Sequence, residues 1–386
     1  MTPSSTSACA RIGIAGAGLL GRLLAWQLGR LGHQVTVVDP APGPAPLFDG
    51  QGAAGFTAAG MLSPLAELDA AEPDVAGRGW HSIARWSAIS ALLADGATAT
   101  GQDEAPAFTQ RGSLMVAHGS DLGAARRVLA RVAQPMPGQP AGCSPQALDR
   151  PALNALEPSL HGSAGALHAW LLPGEAQIDT VRTLARLQAQ APGVQWRWGE
   201  TVEDLSPGRW QTRGAEAFDL VIDARGVGAR PTWPVRGVRG EVIWLHAPGL
   251  GLQRPLRLLH PRHRVYIVPR ADDTVLIGAS EIESEDRSPV SLRSAVELMA
   301  AAHSVLPALA EARILRMDRN LRPALPDHRP RVHHEPGLLR LNGLYRHGWL
   351  LAPSVVDEAL ALMGWPPLPC AATMPTSTPA SSPASA

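Results

Sequence analysis

The stretch that decides the fold is Arg11–Asp39, which reads RIGIAGAGLLGRLLAWQLGRLGHQVTVVD. Two isoleucines near its start are β-branched and predict a strand that runs into a glycine-rich loop. The apolar residues that follow have helical spacing, and Gly32 ends the predicted helix. A second buried strand is predicted over Val35–Val38, and Asp39 closes it. The stretch therefore predicts a strand–loop–helix–strand unit of a parallel sheet.

The loop of this unit matches the pattern G-x-G-x-x-G at residues 16–21. One glycine of such a loop permits the tight turn, one lets the backbone approach a pyrophosphate, and one lets the helix pack on the strand. The helix N-terminus favours negative charge, and a carboxylate about 20 residues further on can hold ribose hydroxyls. The predicted dinucleotide-binding residues are Gly16, Gly18, Leu19, Leu20, Gly21 and Asp39.

Two questions stay open at this point. A glycine-rich turn can be purely structural in another α/β fold, and the motif does not separate FAD from NAD. The strand before the loop, the helix after it and the terminal acid favour a dinucleotide site over a structural turn.

The composition excludes several classes of function. The 386 residues contain no lysine, which pyridoxal phosphate enzymes and P-loop nucleotide-binding proteins need. The formal net charge is zero, which gives no support for nucleic acid as a partner. Cys9, Cys143 and Cys370 form no CxxC pair, so we expect no disulfide framework, no metal site and a reducing cytoplasmic location. The absence of a run of about 18 apolar residues predicts no membrane span.

The rest of the chain mixes a parallel α/β part with a more antiparallel part, so the predicted fold class is α/β locally and α+β overall. An apolar strand runs into Gly226; further strands are predicted at Glu241–Leu245, Val265–Val268 and Val275–Ile277, and helices at Val181–Gln190, Leu292–Ser304 and Val355–Met363. Residues 1–10 are expected to be flexible, and residues 366–386, rich in Pro, Ser, Thr and Ala, are expected to form a disordered tail.

Four segments of the chain resemble the D-amino-acid-oxidase-like family of flavoproteins. They are Ala53–Pro64, Gly237–Ile243, Arg257–Arg270 with its continuation Ile277–Glu283, and Leu321–Asp327 with Asn342–Pro353. The resemblance runs from about Arg11 to Leu362, and within the family the chain is most similar to the glycine oxidases of the thiamine pathway. It implies FAD rather than NAD as the cofactor.

The resemblance also implies a discontinuous Rossmann-type FAD-binding domain and an antiparallel-sheet substrate domain. The expected FAD-binding domain comprises residues 11–85, 150–230 and 318–365, and the expected substrate-binding domain comprises residues 86–149 and 231–317.

The resemblance assigns two residues to the carboxylate of the substrate. Arg322 is expected to make the ion pair, because a guanidinium binds a carboxylate through two parallel hydrogen bonds. Tyr266 is expected to face the same carboxylate, and Arg346 to lie near the entrance. The alternatives are surface salt bridges for the arginines and ordinary packing for the tyrosine. The cofactor contacts that the resemblance adds are Ala59, Gly60, Met61, Val202, Gly226, Leu344, Tyr345, Arg346, His347, Gly348, Trp349 and Leu350.

The chain departs from the usual pattern of the family at four positions. Asp39 stands where glutamate is frequent, Leu344 where histidine is frequent, and His347 and Trp349 are also unusual. The shorter carboxylate is expected to shift the adenosine slightly, and Leu344 lacks any polar role. No cysteine lies near residue 345 or around Arg322, so the resemblance implies non-covalent FAD.

The function implied by the resemblance is oxidative deamination of glycine, and of small D-amino acids or sarcosine. The imine or 2-oxo acid would form while oxygen is reduced to hydrogen peroxide, and the imine would feed thiazole synthesis in thiamine biosynthesis. A thiazole synthase acting downstream and a homo-oligomer are the expected partners. The alternatives are a D-amino acid dehydrogenase of the same family that uses an electron carrier, a protein with purely structural flavin, and a nicotinamide dehydrogenase.

Overall fold

The structure is a computed structural model, and it describes residues 9–68, 72–95, 107–134, 136, 138–161, 167–261 and 264–367. The predicted flexible start and disordered tail lie outside the described residues, apart from residues 9–10 and 366–367. Within the described ranges, no helix combines the length and apolar character that crossing a membrane requires.

Helices and strands alternate irregularly along the chain. The first half contains β1 (Arg11–Ala15), α1 (Leu19–Arg30), β2 (Gln34–Asp39), α2 (Ala54–Thr57), β3 (Met61–Leu62), α3 (Pro64–Glu67), α4 (Pro73–Asp95), β4 (Phe108–Thr109), β5 (Ser113–His118), α5 (Leu122–Val132), β6 (Gln146–Leu148), α6 (Arg150–Leu156), β7 (Leu167–Leu172), β8 (Ala176–Ile178), α7 (Thr180–Ala189) and β9 (Gln195–Trp198). The second half contains β10 (Asp204–Ser206), β11 (Arg209–Gln211), β12 (Ala215–Ala217), β13 (Leu220–Asp223), β14 (Arg236–His246), β15 (Leu256–Leu259), β16 (Arg264–Pro269), β17 (Thr274–Gly278), α8 (Leu292–Val305), β18 (Arg313–Ala324), β19 (Arg331–Glu335), β20 (Leu338–Asn342) and α9 (Gly348–Leu362).

One sheet has six strands in the order β19-β20-β13-β1-β2-β9. All neighbours in it are parallel except the antiparallel pair β19–β20. Parallel strands are covered on both faces and so carry continuous apolar side chains, as Ile12, Ile14, Val35 and Val37 do here. The predicted strand–loop–helix–strand unit is therefore present, with β1 at the interior of the sheet.

The other large sheet has eight strands in the order β18-β14-β17-β16-β15-β5-β7-β6. Its pairs are antiparallel except β15–β5. Helix α8 packs on it through Leu298 and Ala302, which share a core with Ile243 and Ile277. A parallel sheet beside a mainly antiparallel sheet confirms the predicted mixed fold class.

Strand β14 is longer than predicted, since the sequence analysis placed the strand only at Glu241–Leu245. The strand runs from 236 to 246 because it pairs with β18 over its whole length. Its first half carries a buried ion pair between Arg239 and Glu241, with the nitrogen and oxygen 2.6 Å apart. These charged residues and the glycines beside them hid the strand from an analysis based on apolar runs.

Helix α9 begins at Gly348, whereas the sequence predicted a start at Val355. The predicted start was late because Pro353 interrupts the helical pattern. A proline lacks the backbone N–H that would bond to the carbonyl of Trp349. That carbonyl instead accepts a hydrogen bond from the indole of Trp86 on α4, at 2.7 Å. Helix α4 thus supplies a donor to the carbonyl that Pro353 leaves without its usual partner within the helix.

The strand pairing does not follow the predicted domain boundaries everywhere. Strand β7 lies within the range assigned to the FAD-binding domain, yet it pairs with β5 in the eight-stranded sheet. Residues 318–324 were assigned to the same domain, yet they continue β18 beside β14. Helix α4 also runs through the boundary drawn at residue 85. The division into two domains stays a prediction, and its limits need these shifts.

The short helix α3 is held by a buried carboxyl group. Glu175 is fully buried, and its Oε1 accepts hydrogen bonds from the backbone N–H groups of Leu65 (2.9 Å) and Ala66 (3.1 Å). Its Oε2 accepts one from the hydroxyl of Ser113. Burial raises the pKa of Glu175 to about 7, against the smaller lowering effect of these hydrogen bonds. Burial therefore favours the protonated form of this group, whereas its hydrogen bonds to α3 favour the ionised form.

We expect the free energy of unfolding to fall as the pH rises from about 4.5 to about 7. The folded state holds this proton more tightly than the unfolded state does, so the loss is roughly 3 kcal/mol at 1.36 kcal/mol per pKa unit. Glu175→Gln should remove this part of the pH dependence in urea unfolding measured at several pH values across this range. Glu311→Gln, at an 89% exposed side chain, is the control. Equal pH profiles for wild type and both variants would contradict the assignment.

Candidate active site

A cavity of about 750 Å³ lies at the carboxyl ends of the parallel strands and reaches the eight-stranded sheet. Each of the five parallel strands contributes at least one residue to the wall of the cavity, either at the end of the strand or a few residues after it. These residues are Gly16 after β1, Asp39 at the end of β2, Val202 after β9, Gly226 after β13 and Gly343 after β20. The carboxyl edge of such a sheet is where doubly wound folds bind ligands.

The three glycines of the loop have different structural roles. Gly16 has a positive φ of 102°, which favours glycine. A Cβ on Gly21 would lie 1.8 Å from the carbonyl oxygen of Gly16, so Gly21 lets α1 pack on the loop. A Cβ on Gly18 would meet nothing in the protein closer than 3.8 Å. Gly18 lines the cavity, so only a ligand in the cavity would require its small size.

Asp39 is oriented by the backbone around it. Its Oδ2 accepts a hydrogen bond from the N–H of Ala17 (2.6 Å), and its Oδ1 accepts one from the N–H of Ala41 (2.9 Å). The carboxylate also lines the cavity, beside the N-terminus of α1. It therefore has a fixed orientation and can still accept hydrogen bonds from a ligand.

Most of the residues that the glycine loop and the resemblance predicted for the cofactor line this same cavity. They are Gly16, Gly18, Leu19, Leu20, Asp39, Ala59, Gly60, Met61, Val202, Gly226, Leu344, Tyr345, Arg346, Gly348, Trp349 and Leu350. Gly21 and His347 are not part of the wall that the described residues form. Gly21 packs on the loop, and the Nδ1 of His347 lies 3.2 Å from the Oε2 of Glu67.

Arg322 and Tyr266 both line the cavity at the eight-stranded sheet, and each lies across a glycine of a neighbouring strand. A Cβ on Gly240 would be 2.4 Å from the Cζ of Arg322, and one on Gly278 would be 2.7 Å from the ring of Tyr266. These glycines therefore create the space that both side chains occupy. The guanidinium of Arg322 donates to the carbonyls of residues 239 (3.3 Å) and 280 (3.0 Å).

The electrostatics of Tyr266 favour its neutral form. Burial raises the pKa of its phenol, and the nearby Arg322 opposes this shift only in part. No residue in the described ranges hydrogen-bonds this hydroxyl. The phenol therefore keeps its proton and can donate it to an anion bound beside Arg322.

Beside this pair lies a network of four charged residues, of which the sequence analysis assigned a role only to Arg346. Glu67 lies 3.2 Å from Arg257 and 3.4 Å from Arg346, and Arg346 lies 3.1 Å from Glu281. Burial alone would raise the pKa of Glu67, but Arg257, His347 and Arg346 together hold it well below its usual range. Arg346 is therefore fixed between two carboxylates.

Tyr345 extends this network, because its hydroxyl donates a hydrogen bond to the Oε1 of Glu281. Burial and this bond raise the pKa of Tyr345 to about 12. The hydrogen bond and Arg346 outweigh the burial of Glu281 and lower its pKa. Both carboxylates are thus ionised.

Glu67, Arg257 and Glu281 share no sequence motif. Glu67 comes three residues after the segment Ala53–Pro64, and the other two lie on or after strands of the far sheet. Only the fold brings them together. Together with Arg322, Arg346 and Arg264, which also line this end, the arginines outnumber the two carboxylates. This end is therefore suited to a small anionic ligand.

The sequence profile of the FAD dependent oxidoreductase family matches residues 11–359. The thiamine biosynthesis oxidoreductase ThiO of Rhizobium etli is 37% identical over 355 residues, which cover 90% of this chain and 94% of that protein. The bifunctional protein ThiO/ThiG of Nostoc is 29% identical over 88% of this chain, and the chain spans 50% of the length of that relative.

The crystal structure of glycine oxidase from Geobacillus kaustophilus superimposes with a TM-score of 0.72 and 25% identity, over 91% of this chain and 93% of that one. These similarities confirm the family that the resemblance predicted, and FAD as its cofactor. The chain belongs to the FAD dependent oxidoreductase family, and like its relatives it is an oxidoreductase that acts on amino donors.

Proposed function

We propose that the protein oxidises glycine, and small D-amino acids or sarcosine, to the imine, which hydrolyses to the 2-oxo acid. Oxygen is the proposed electron acceptor and is reduced to hydrogen peroxide. The observation that carries the proposal is the placement of Arg322 and Tyr266 at one end of the cavity, each over a glycine of the next strand.

The residues of the cavity fit FAD. Gly18 leaves room for a pyrophosphate at the N-terminus of α1, and Asp39 is oriented to accept ribose hydroxyls. The segments 59–61 and 344–350 would flank the flavin ring. Neither Cys9 nor Cys143 is part of the cavity wall formed by the described residues, which supports non-covalent binding. When bound, FAD supplies the acceptor for a hydride from the α-carbon of the substrate.

Arg322 would bind the carboxylate of the amino acid. A guanidinium has five N–H donors, and two of the donors of Arg322 are used on backbone carbonyls. The remaining donors can make the paired hydrogen bonds that a carboxylate accepts. The two backbone bonds fix the plane of the guanidinium in advance, which lowers the cost of ordering it on binding.

The hydroxyl of Tyr266 would donate a further hydrogen bond to the same carboxylate. Together the two residues would fix the α-carbon, and such positioning contributes several kcal/mol to catalysis. The neutral amine is the reactive form, so no side-chain base is required. The excess of positive charge around Arg322, Arg346 and Arg257 favours an amino acid in this form, because it is then an anion.

The proposed product would be used in thiamine biosynthesis. Support comes from the relative named ThiO and from a relative that joins ThiO and ThiG in one chain. We propose that a thiazole synthase consumes the imine formed by this protein.

Gly18→Ala should weaken FAD binding without unfolding the protein. The added methyl group has room in the protein but occupies cavity space at the predicted pyrophosphate position. We expect the Kd for FAD to rise about tenfold or more, equivalent to about 1.4 kcal/mol, as measured by quenching of flavin fluorescence. Gly123→Ala, at an unobstructed position in α5, is the control. Unchanged FAD affinity in Gly18→Ala would place the pyrophosphate elsewhere.

Arg322→Gln should lower kcat/KM for glycine about 100-fold or more, since it removes the charged partner of the carboxylate. Tyr266→Phe should lower it about tenfold, the cost of one hydrogen bond. The measurement is reduction of bound flavin by glycine without air, followed by peroxide assay in air. Arg313→Gln, on the same strand with a 74% exposed side chain, is the control.

The same experiment separates the proposal from its alternatives. Flavin reduction by glycine without peroxide formation in air would indicate a dehydrogenase that uses an electron carrier. Full activity in Arg322→Gln would show that the carboxylate binds elsewhere.

A further inference from the structure

A second, smaller cavity of about 280 Å³ lies behind the substrate end of the main cavity. Its wall contains the arginines Arg127 and Arg131 of α5, Arg257 of β15 and Arg264 of β16. No carboxylate is part of this wall in the described ranges. Arg257 is paired with Glu67, and the guanidinium groups that border this small volume favour an anionic ligand.

The sequence of α5 places two of these arginines on one face of the helix. Arg127 and Arg131 are four residues apart, which brings their side chains side by side. Both are exposed. Arg127 makes no hydrogen bond or ion pair with any residue that the structure describes, whereas Arg131 donates to the carbonyl of Leu68 at 3.3 Å. Helix α5 thus presents donors to the cavity from its outer side.

The inner side of the cavity is formed by residues that also line the main cavity. Arg257 and Arg264 belong to both walls. Arg257 is 93% buried, and its Nη1 is held 3.2 Å from the Oε1 of Glu67 on the side of the main cavity. Arg257 is therefore an anchored cation placed between the two cavities.

We propose that this second cavity, the arginine pocket, binds a small molecule that bears a phosphate group. A guanidinium matches phosphate oxygens in a two-pronged geometry, and a phosphate carries close to two negative charges at neutral pH. The volume accommodates a phosphate group with a few further atoms. The wall also contains Leu258, Leu259, Val128 and Ala124, which would cover an apolar part of the ligand.

The anion bound here would affect the active site through Arg257. It would compete with Glu67 for the same guanidinium, and Glu67 also fixes Arg346 and His347. A change in this network would reach the residues around the substrate. This second part of the proposal rests on the proposed amino acid oxidation.

The binding test is calorimetric titration of inorganic pyrophosphate into the protein saturated with FAD, in about 150 mM NaCl to screen weak surface binding. We expect one site per chain with a Kd below about 1 mM. The double variant R127Q/R131Q should raise this Kd about tenfold or more, and R126Q, on the same helix outside the pocket, should not. Both residues of the double variant are exposed, so thermal unfolding should remain as in wild type.

Three results would overturn the proposal. They are no heat of binding to wild type, equal affinity in R127Q/R131Q, or loss of binding in R322Q, which would place the anion at the substrate end of the main cavity. Saturating pyrophosphate should change the KM for glycine at least about twofold in wild type and not in R127Q/R131Q. An unchanged KM with binding intact would overturn the link through Arg257 and retain the pocket.

Discussion

The structure depends on the parallel pairing of β1 between β2 and β13. Parallel strands end at the same edge of a sheet, so their connecting loops meet there. This constraint gathers the glycine loop, Asp39 and Gly226 on one wall, although they are separated by up to 210 residues. The eight-stranded sheet then closes the opposite wall. The predicted cofactor site therefore lies at the edge of the six-stranded sheet, and the proposed substrate site lies on the eight-stranded sheet that faces it.

The charges at the substrate end form a coupled set. Glu67 stands on α3 and contacts Arg257 of the far sheet and Arg346 ahead of α9, so one carboxylate joins three parts of the chain. Glu175 accepts hydrogen bonds from the backbone N–H groups of Leu65 and Ala66 near the start of α3. Each contact alone is a modest contribution, but a buried ionised group without its partners costs several kcal/mol. The set therefore specifies one arrangement of the cavity wall.

The sequence predicted the parts of the fold that local pattern determines. The unit Arg11–Asp39, the helix near residues 181–190 and the strands near 265 and 275 have clear periodicity and were found within a few residues. Long strand β14 and helix α9 were cut short, because a buried ion pair and Pro353 interrupt their patterns. The family resemblance supplied Tyr266 and Arg322. It assigned no role to Glu67, Arg257 or Glu281, although the last two lie in the segments that carry the resemblance, because only contacts between separate elements reveal their network.

The hydrogen bond from Trp86 to the carbonyl of Trp349 ties the two helices together at the atom that Pro353 leaves without a donor. The backbone at the start of α9 is thus stabilised in part by α4, which lies more than 250 residues earlier in the chain. The residues of that turn line the cavity beside the predicted flavin position. This wall of the site therefore depends on a contact that lies outside the cavity, so a change at Trp86 would reach the cavity through the backbone of α9.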